Sequence, residues 1–309
     1  MKVFLCENIH RDALALLKTR AEIISDWACI GEADAIINRN LRLDAALLER
    51  AGRLKVVAIH GTGTDGVDLA CCARRGIRVF SVPYQNADSV AELIVAFALI
   101  LLRKIHLADR NVCAGAPLVN APPQLAGRER AGKTLGLVGA GDIALRAARI
   151  MQRGFGVSVV GYSPSLTPEK AEQLGIGYAP SVEAVLQEAD IVNIGVHRTP
   201  ATENLIDRPQ LQQMKPTAVL INTARGGVVN EEALYQALTA GEIAAAACDV
   251  FETEPPTREN PLVGLANFVA TPHIGANTDE ALRRVGMAVV EQIFRIMDGG
   301  EADYPCQPN

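Results

Sequence analysis

Short apolar runs alternate along the whole chain with longer stretches whose apolar residues recur at helical spacing, the pattern of an α/β protein built on parallel sheets. In the N-terminal third this pattern predicts strands over residues 3–6, 23–25, 35–37, 54–59 and 78–81, with helices over 12–20, 44–50 and 69–75. Ser89-Val90-Ala91-Glu92 has the serine and glutamate spacing of a capping box and predicts the start of a long helix reaching about residue 108. Residues 115–132 carry prolines and glycines and predict a surface connection. From Lys133 onward strands are predicted over 134–138, 158–162, 191–194, 218–222, 245–249 and 268–270, with helices between most of them. A last helix over about 279–297 is expected to return to the first unit. The chain has no internal repeat and no low-complexity segment.

One junction in this pattern carries chemistry. Leu135-Gly136-Leu137-Val138-Gly139-Ala140-Gly141-Asp142-Ile143-Ala144 reads as a strand, a glycine turn and the first turn of a helix that continues to Met151. Gly139 permits a tight turn, Gly141 removes a side chain where backbone must approach a pyrophosphate, and Ala144 is small enough for close helix–strand packing. The helix N-terminus adds unpaired N–H groups and partial positive charge. This predicts a dinucleotide site.

Composition narrows the classes. A chain of 309 residues has room for about two domains. Its net charge of −5 provides no electrostatic footprint for nucleic acid or an anionic membrane. The seven cysteines lack framework or zinc spacing and read as reduced, mostly buried thiols, with no metal site. The N-terminal residues read as a strand interrupted by Glu7, not as a signal peptide, and the expected location is cytoplasmic. The apolar run 93–102 is too short to span a membrane and is flanked by Glu92, Arg103 and Lys104. It reads as a helix buried on most sides, a subunit interface being one place for it.

Three further motifs follow the glycine turn: Ile221-Asn222-Thr223-Ala224-Arg225-Gly226-Gly227, Cys248-Asp249-Val250-Phe251-Glu252-Thr253-Glu254-Pro255 and Thr271-Pro272-His273-Ile274-Gly275. In this order and spacing they closely resemble the D-isomer-specific 2-hydroxyacid dehydrogenases, which include glyoxylate/hydroxypyruvate reductases and phosphoglycerate dehydrogenases. The resemblance covers nearly the whole chain and reaches the first unit through Gly61-Thr62-Gly63-Thr64-Asp65-Gly66-Val67-Asp68 and Ser89-Val90-Ala91-Glu92-Leu93. It implies a Rossmann-type doubly wound domain at about 99–282. A smaller, flavodoxin-like α/β substrate domain would comprise 1–98 and 283–309, with the active site in the cleft between them.

The resemblance implies a catalytic set of Arg225, Glu254 and His273, and the chemistry explains those residue types. Arg225 can grip the carboxylate of a 2-keto acid with its planar fork and polarise the neighbouring carbonyl. His273 can supply the proton that the carbonyl oxygen needs as hydride arrives. Glu254 on the other ring nitrogen would favour the imidazolium and fix the ring. Taken singly, Arg225 reads equally as a solvated loop charge, His273 as a core histidine and Glu254 as a turn residue. It is their joint placement in the motifs that points to catalysis. By the same resemblance Gly61, Thr62 and Gly63 hold the substrate carboxylate, Asn86 lines the cleft, Arg39 matches a substrate-phosphate position, and Gly139, Gly141, Asp142, Ile143, Val196, Thr223 and Asp249 meet the cofactor. Asp249 is expected at the nicotinamide amide, or else as a strand-end residue capping the next turn.

The chain departs from the family pattern at the cofactor. The acidic residue expected about twenty positions past the glycine turn is replaced by Ser163-Pro164-Ser165, and Gly195, His197 and Arg198 stand where His, Pro and an apolar residue are usual. The cofactor is therefore read as NAD or NADP with a lean to NADP, Ser163, His197 and Arg198 facing the extra phosphate. Asp142 beside the pyrophosphate is a second departure; it suits the helix dipole yet would oppose the phosphates. The expected reaction is hydride transfer between NAD(P)H and a small 2-keto acid, by a homodimer. Glyoxylate or hydroxypyruvate leads. Phosphoglycerate follows, since Arg39 is the one basic residue nominated for its phosphate and no regulatory domain follows residue 309. A non-enzymatic NAD(H)-sensing interaction protein is the alternative from another class.

Overall fold

The computed structural model describes residues 1–116, 120 and 122–308. The chain folds as two units, Met1–Ser89 with Ala276–Asn309, and Val90–Gly275. In chain order the first unit begins with β1 (Lys2–Leu5), α1 (Arg11–Lys18), β2 (Glu22–Ile24), β3 (Ala35–Asn38), α2 (Ala45–Arg50), β4 (Val56–Ile59), α3 (Leu69–Arg74) and β5 (Arg78–Phe80). Then come α4 (Ala87–Leu102), α5 (Ile105–Cys113), β6 (Thr134–Val138), α6 (Asp142–Phe155), β7 (Ser158–Tyr162), α7 (Pro168–Leu174), β8 (Gly177–Tyr178), α8 (Val182–Glu188), β9 (Ile191–Ile194), α9 (Arg208–Leu211), β10 (Val219–Asn222), α10 (Glu231–Thr239), β11 (Ala245–Cys248) and β12 (Phe268–Ala270). The chain returns to the first unit with α11 (Asp279–Met297) and β13 (Pro305–Cys306).

The sheet of the first unit has the order β13-β5-β4-β3-β1-β2, with β1 to β5 parallel and β13 antiparallel on the edge. The 2-1-3-4-5 order of its parallel strands is the flavodoxin-like one expected. Both faces are covered, so the strands read as continuous apolar runs rather than alternating ones. Val56 and Ala58 of β4 join the core under α11, while Val57 and Ile59 join the core on the other face. α1 and α11 meet at Gly286, where a Cβ would lie 2.7 Å from that of Ala13, so glycine sets their close approach.

The sheet of the second unit is wholly parallel, in the order β12-β11-β10-β9-β6-β7-β8. Counting from β6, this is the Rossmann order, with its switch point between β6 and β9. α6 buries Ala144, Ala147, Ala148 and Met151, one stripe at helical spacing, against Leu135 and Leu137 of β6.

The structure departs from the sequence expectations in several places. α4 begins at Ala87, so Ser89 lies inside the helix and no capping box forms there. The Ser89 hydroxyl instead lies 2.7 Å from that of Thr278, the N-cap of α11. The helix stops at Leu102, because Lys104 takes a left-handed φ of 53°, and α5 starts afresh. The expected domain boundaries at 98/99 and 282/283 compare with unit boundaries at 89/90 and 275/276. The shift follows from packing: Val90, Ala91, Ile94, Phe97 and Leu101 of α4 all join the core that holds Leu135 and Leu137. Of the seven thiols only Cys71, Cys72 and Cys248 are buried, fewer than expected, and Cys113 is exposed. Residues 117–119 and 121 of the expected surface connection lie outside the described residues. Among the described residues no helix is long and apolar enough to cross a membrane.

Candidate active site

β10, β11 and β12 are neighbours in the sheet and parallel, so the turns that leave them emerge at one edge. Those turns carry Arg225, Glu254 and His273. Asn222, the last residue of β10, is buried and shapes the first turn. Its Oδ1 accepts the Ala224 N–H at 3.1 Å, and its Nδ2 donates to the Arg225 carbonyl at 3.0 Å. The Arg225 guanidinium donates to the Ala224 carbonyl at 2.6 Å, and the side chain is half-buried. Gly226 comes next. A Cβ there would sit 1.9 Å from the Phe251 carbonyl oxygen, so only glycine lets the Arg225 turn press onto the turn that leads to Glu254.

The turn after β12 is held by Asp249, which is 1 % exposed. Its Oδ1 accepts the Thr271 hydroxyl at 2.5 Å and the Ile274 N–H at 2.7 Å, and its Oδ2 accepts the Gly275 N–H at 2.7 Å. Its backbone carbonyl accepts the His273 N–H at 2.8 Å. His273 itself has a φ of 55°, a conformation a bulky residue keeps only when its surroundings impose it. Its ring lies 2.8 Å, through Nδ1, from Glu254 Oε2. A carboxylate only accepts, so Nδ1 carries the proton and Nε2 is the ring atom left to face a ligand. Both side chains are 32 % exposed, so the pair is partly desolvated yet reachable. Glu254 Oε1 also accepts the Phe251 N–H at 3.1 Å. Burial pushes the Glu254 carboxyl up, but the His273 hydrogen bond and charge, the Phe251 N–H and the Arg225 charge outweigh it and hold the carboxyl below the usual glutamate range.

The glycine turn after β6 is built to admit a phosphate. Gly139 has a φ of 96°, and a Cβ on it would lie 2.5 Å from the Gly195 carbonyl oxygen and 2.8 Å from Val196. A Cβ on Gly141, by contrast, would meet no protein atom within 4 Å. Gly141 caps α6, a helix of 14 residues, so the first N–H groups of a full-length helix open onto unobstructed space beside the switch point. Ala144 is buried, and a Cβ on Gly195 would come within 3.5 Å of its methyl, so these small residues set the spacing between helix and strand. The cradle fits a dinucleotide pyrophosphate.

Comparison with known proteins agrees. Residues 95–275 match the family model described as D-isomer specific 2-hydroxyacid dehydrogenase, NAD binding domain. This chain belongs to that family. It is 39 % identical over 306 residues to a hydroxypyruvate reductase of Thermotoga maritima, covering 95 % of this chain and 97 % of the relative. It is 34 % identical over 315 residues to a D-3-phosphoglycerate dehydrogenase of Methanocaldococcus jannaschii, covering 98 % of this chain. The chain spans 59 % of the length of that relative. The crystal structure of TT0316 protein from Thermus thermophilus superposes with a TM-score of 0.89 at 33 % identity, covering 99 % of each chain.

The remaining site residues expected in this family member fall as follows. Asp142 opens α6, and its carboxylate takes Arg146 Nε at 3.0 Å, one turn along the helix. Ile143, next to it, is half-buried, and Thr223 directly follows β10. Ser163 follows β7, its hydroxyl 3.4 Å from that of Ser165. His197 and Arg198 follow β9 and are exposed. The Arg198 guanidinium is engaged by Glu203 at 2.7 Å and lies against Gly227, on the β10 side of β9. Ser163 and Arg198 thus leave the sheet from different strands, β7 and β9. The Asp249 carboxylate accepts three internal donors, the arrangement of a residue that caps the turn after β12. Arg39, Gly61, Thr62, Gly63 and Asn86 belong to the first unit. Gly61 has a φ of 148° and joins the β4 and β5 turns by accepting the Val82 N–H. Glu7 receives the N–H groups of Arg39, Asn40 and Leu41, and the Arg39 guanidinium reaches Asn277 Oδ1 at 3.4 Å. Asn222, Gly226 and Thr271 stood inside the family motifs, but their tasks became visible only from their partners.

Proposed function

We propose that this chain is a reductase of small 2-keto acids that uses NADH or NADPH and forms the D-2-hydroxy acid, with glyoxylate and hydroxypyruvate as substrates. The observation that carries the reading is the 2.8 Å His273–Glu254 pair beside the Arg225 turn. A bound reduced nicotinamide supplies the hydride to the carbonyl carbon. Arg225 holds the substrate carboxylate in its fork and draws density from the carbonyl. His273 Nε2 donates the proton to the carbonyl oxygen, and Glu254 stabilises the charged ring before the transfer. Gly61, Thr62, Gly63 and Asn86 complete the proposal as substrate-binding groups, Gly139, Gly141, Ile143, Val196 and Thr223 as cofactor-binding groups, and the resemblance extends it to a homodimer. Likeness to the hydroxypyruvate reductase over nearly all of both chains supports the substrate class.

Glu254 ties the reading to pH. Its carboxyl is lowered in the folded chain, so the stabilisation from the pair is present above its unfolded value and is lost as pH falls through the folded one. The test is oxidation of NADH and NADPH, in parallel, with glyoxylate and hydroxypyruvate. Turnover that saturates in the keto acid is expected. No turnover on either acid with either cofactor overturns the proposal.

Ser163 supports acceptance of NADPH. It stands at the end of β7, where an acidic residue would repel a 2′-phosphate, and a hydroxyl can donate to one. Ser163→Asp is expected to lower kcat/KM for NADPH relative to NADH by at least about tenfold, a modest share of the several kcal/mol that juxtaposed like charges cost. An unchanged ratio would remove Ser163 from the cofactor assignment.

A further inference from the structure

The loop that carries Glu254 is fastened at both ends by one side chain that the catalytic assignment does not use. Glu231 is the first residue of α10. Its Oε1 accepts the Glu252 N–H at 2.6 Å, and its Oε2 accepts Asn260 Nδ2 at 2.6 Å. The tie is returned, since the Glu231 N–H donates to Glu252 Oε1 at 3.4 Å. Asn260 is itself fixed: its Oδ1 accepts the Leu262 N–H at 3.1 Å and caps the short helical turn Pro261–Gly264, whose Leu262 is fully buried. Residues 252–260, with Glu254 among them, therefore hang between two points on a single carboxylate.

Holding a carboxylate here is costly. Burial pushes the Glu231 carboxyl up, and the charges of Glu252 and Glu254 push it further, against the two hydrogen bonds it accepts. The buried Cys248 thiol is the other titratable group facing it. A neutral side chain of the same size would escape that cost but could not do the same work. Glutamine offers one acceptor oxygen for two donors, and its NH2 would face either the Glu252 N–H or the Asn260 NH2. Asn260 cannot turn over to help, because its oxygen is committed to Leu262.

We propose that Glu231 is the positioning residue of the catalytic pair: by stapling both ends of the 252–260 loop to α10, it fixes the Glu254 carboxylate on His273 Nδ1. Its kinetic consequence rests on the reductase reading; its structural consequence does not. The geometry explains why one short segment, from Arg225 to Glu231, serves two catalytic groups. Its first residue carries the guanidinium, Gly226 presses on the Phe251 carbonyl, and its last residue holds the loop beyond.

Glu231→Ala and Glu231→Gln in the full chain test this. Kinetically, kcat is expected to fall about 10- to 100-fold in Glu231→Ala, the scale of an ångström-sized misplacement, with KM for the keto acid and NADH affinity held within about threefold, and with Glu231→Gln between it and wild type. Without substrate, backbone hydrogen exchange over 251–260 should accelerate, and the hydrogen-bonded Nδ1–H resonance of His273 should weaken. Unchanged exchange in Glu231→Ala, or faster exchange with the His273 resonance intact, overturns the inference. A raised KM at unchanged kcat does the same. If wild type turns over nothing, the reductase reading falls while exchange and the His273 resonance still decide this one. If Glu231→Ala does not fold, Glu231→Gln decides by the same readings.

Discussion

His273→Asn is expected to lower kcat/KM for hydroxypyruvate by about 10³-fold, within the range of a lost general acid, while leaving the thermal midpoint within a degree or two. Asparagine is the informative replacement because the position has a φ of 55°. Asparagine adopts left-handed backbone readily, whereas alanine would add strain to the loss of the ring. Its amide can still donate to Glu254, so the carboxylate keeps a partner. It has no proton to give at neutral pH, and that is the only function removed. The His273 side chain is 32 % exposed, and asparagine refills part of the space its ring leaves. A fall in activity at unchanged stability and unchanged NADH affinity assigns His273 to the chemical step. A raised KM with kcat preserved would instead make it a substrate-binding group, and another proton donor would have to be sought.

The two sheets were legible because their central strands are covered on both faces, which writes short, nearly uninterrupted apolar runs into the chain, as in Val56-Val57-Ala58-Ile59 of β4 and Ala218-Val219-Leu220-Ile221 running into β10. The glycine turn was legible for a related reason. Gly139 and Gly141 are required by backbone approach, and a missing side chain is visible in sequence. What was not legible depends on partners distant in sequence. Ser89 has the spacing of an N-cap, yet its hydroxyl meets Thr278, 189 residues on. The break at Lys104 follows no proline or glycine; it is a left-handed residue between the apolar α4 and an α5 that buries none of its residues. β13 is only two residues long and exists through pairing with β5. The Arg198 charge is visible in sequence, but its pairing with Glu203 is not. The resemblance named which residues gather at the edge of β10 to β12, and the bonds that hold the turns there became visible only in the structure.

Asp249 is where that difference has its largest expected effect. Asp249→Ala should lower the thermal midpoint by about 10 °C and reduce turnover by more than 10²-fold together. Asp249 is 1 % exposed and receives the Thr271 hydroxyl and the Ile274 and Gly275 N–H groups, so truncation leaves three donors without their acceptor, the Gly275 N–H fully buried and the other two partly so. Each unsatisfied group costs roughly 1–3 kcal/mol, and for a unit of this size each kcal/mol shifts the midpoint by about 2–4 °C. The same three bonds hold the turn around His273, so the ring loses its register with Glu254 as the turn relaxes. Asp249→Asn retains one acceptor oxygen, keeps part of the stability and should recover part of the rate. A carboxylate serving the cofactor predicts another pattern: NADH affinity falls, the midpoint stays, and rate returns at saturating NADH. Differential scanning calorimetry beside a titration of NADH separates the two. Loss of affinity without loss of stability would return Asp249 to the nicotinamide, and coupled loss of stability and kcat at unchanged affinity identifies it as the residue that sets the catalytic turn.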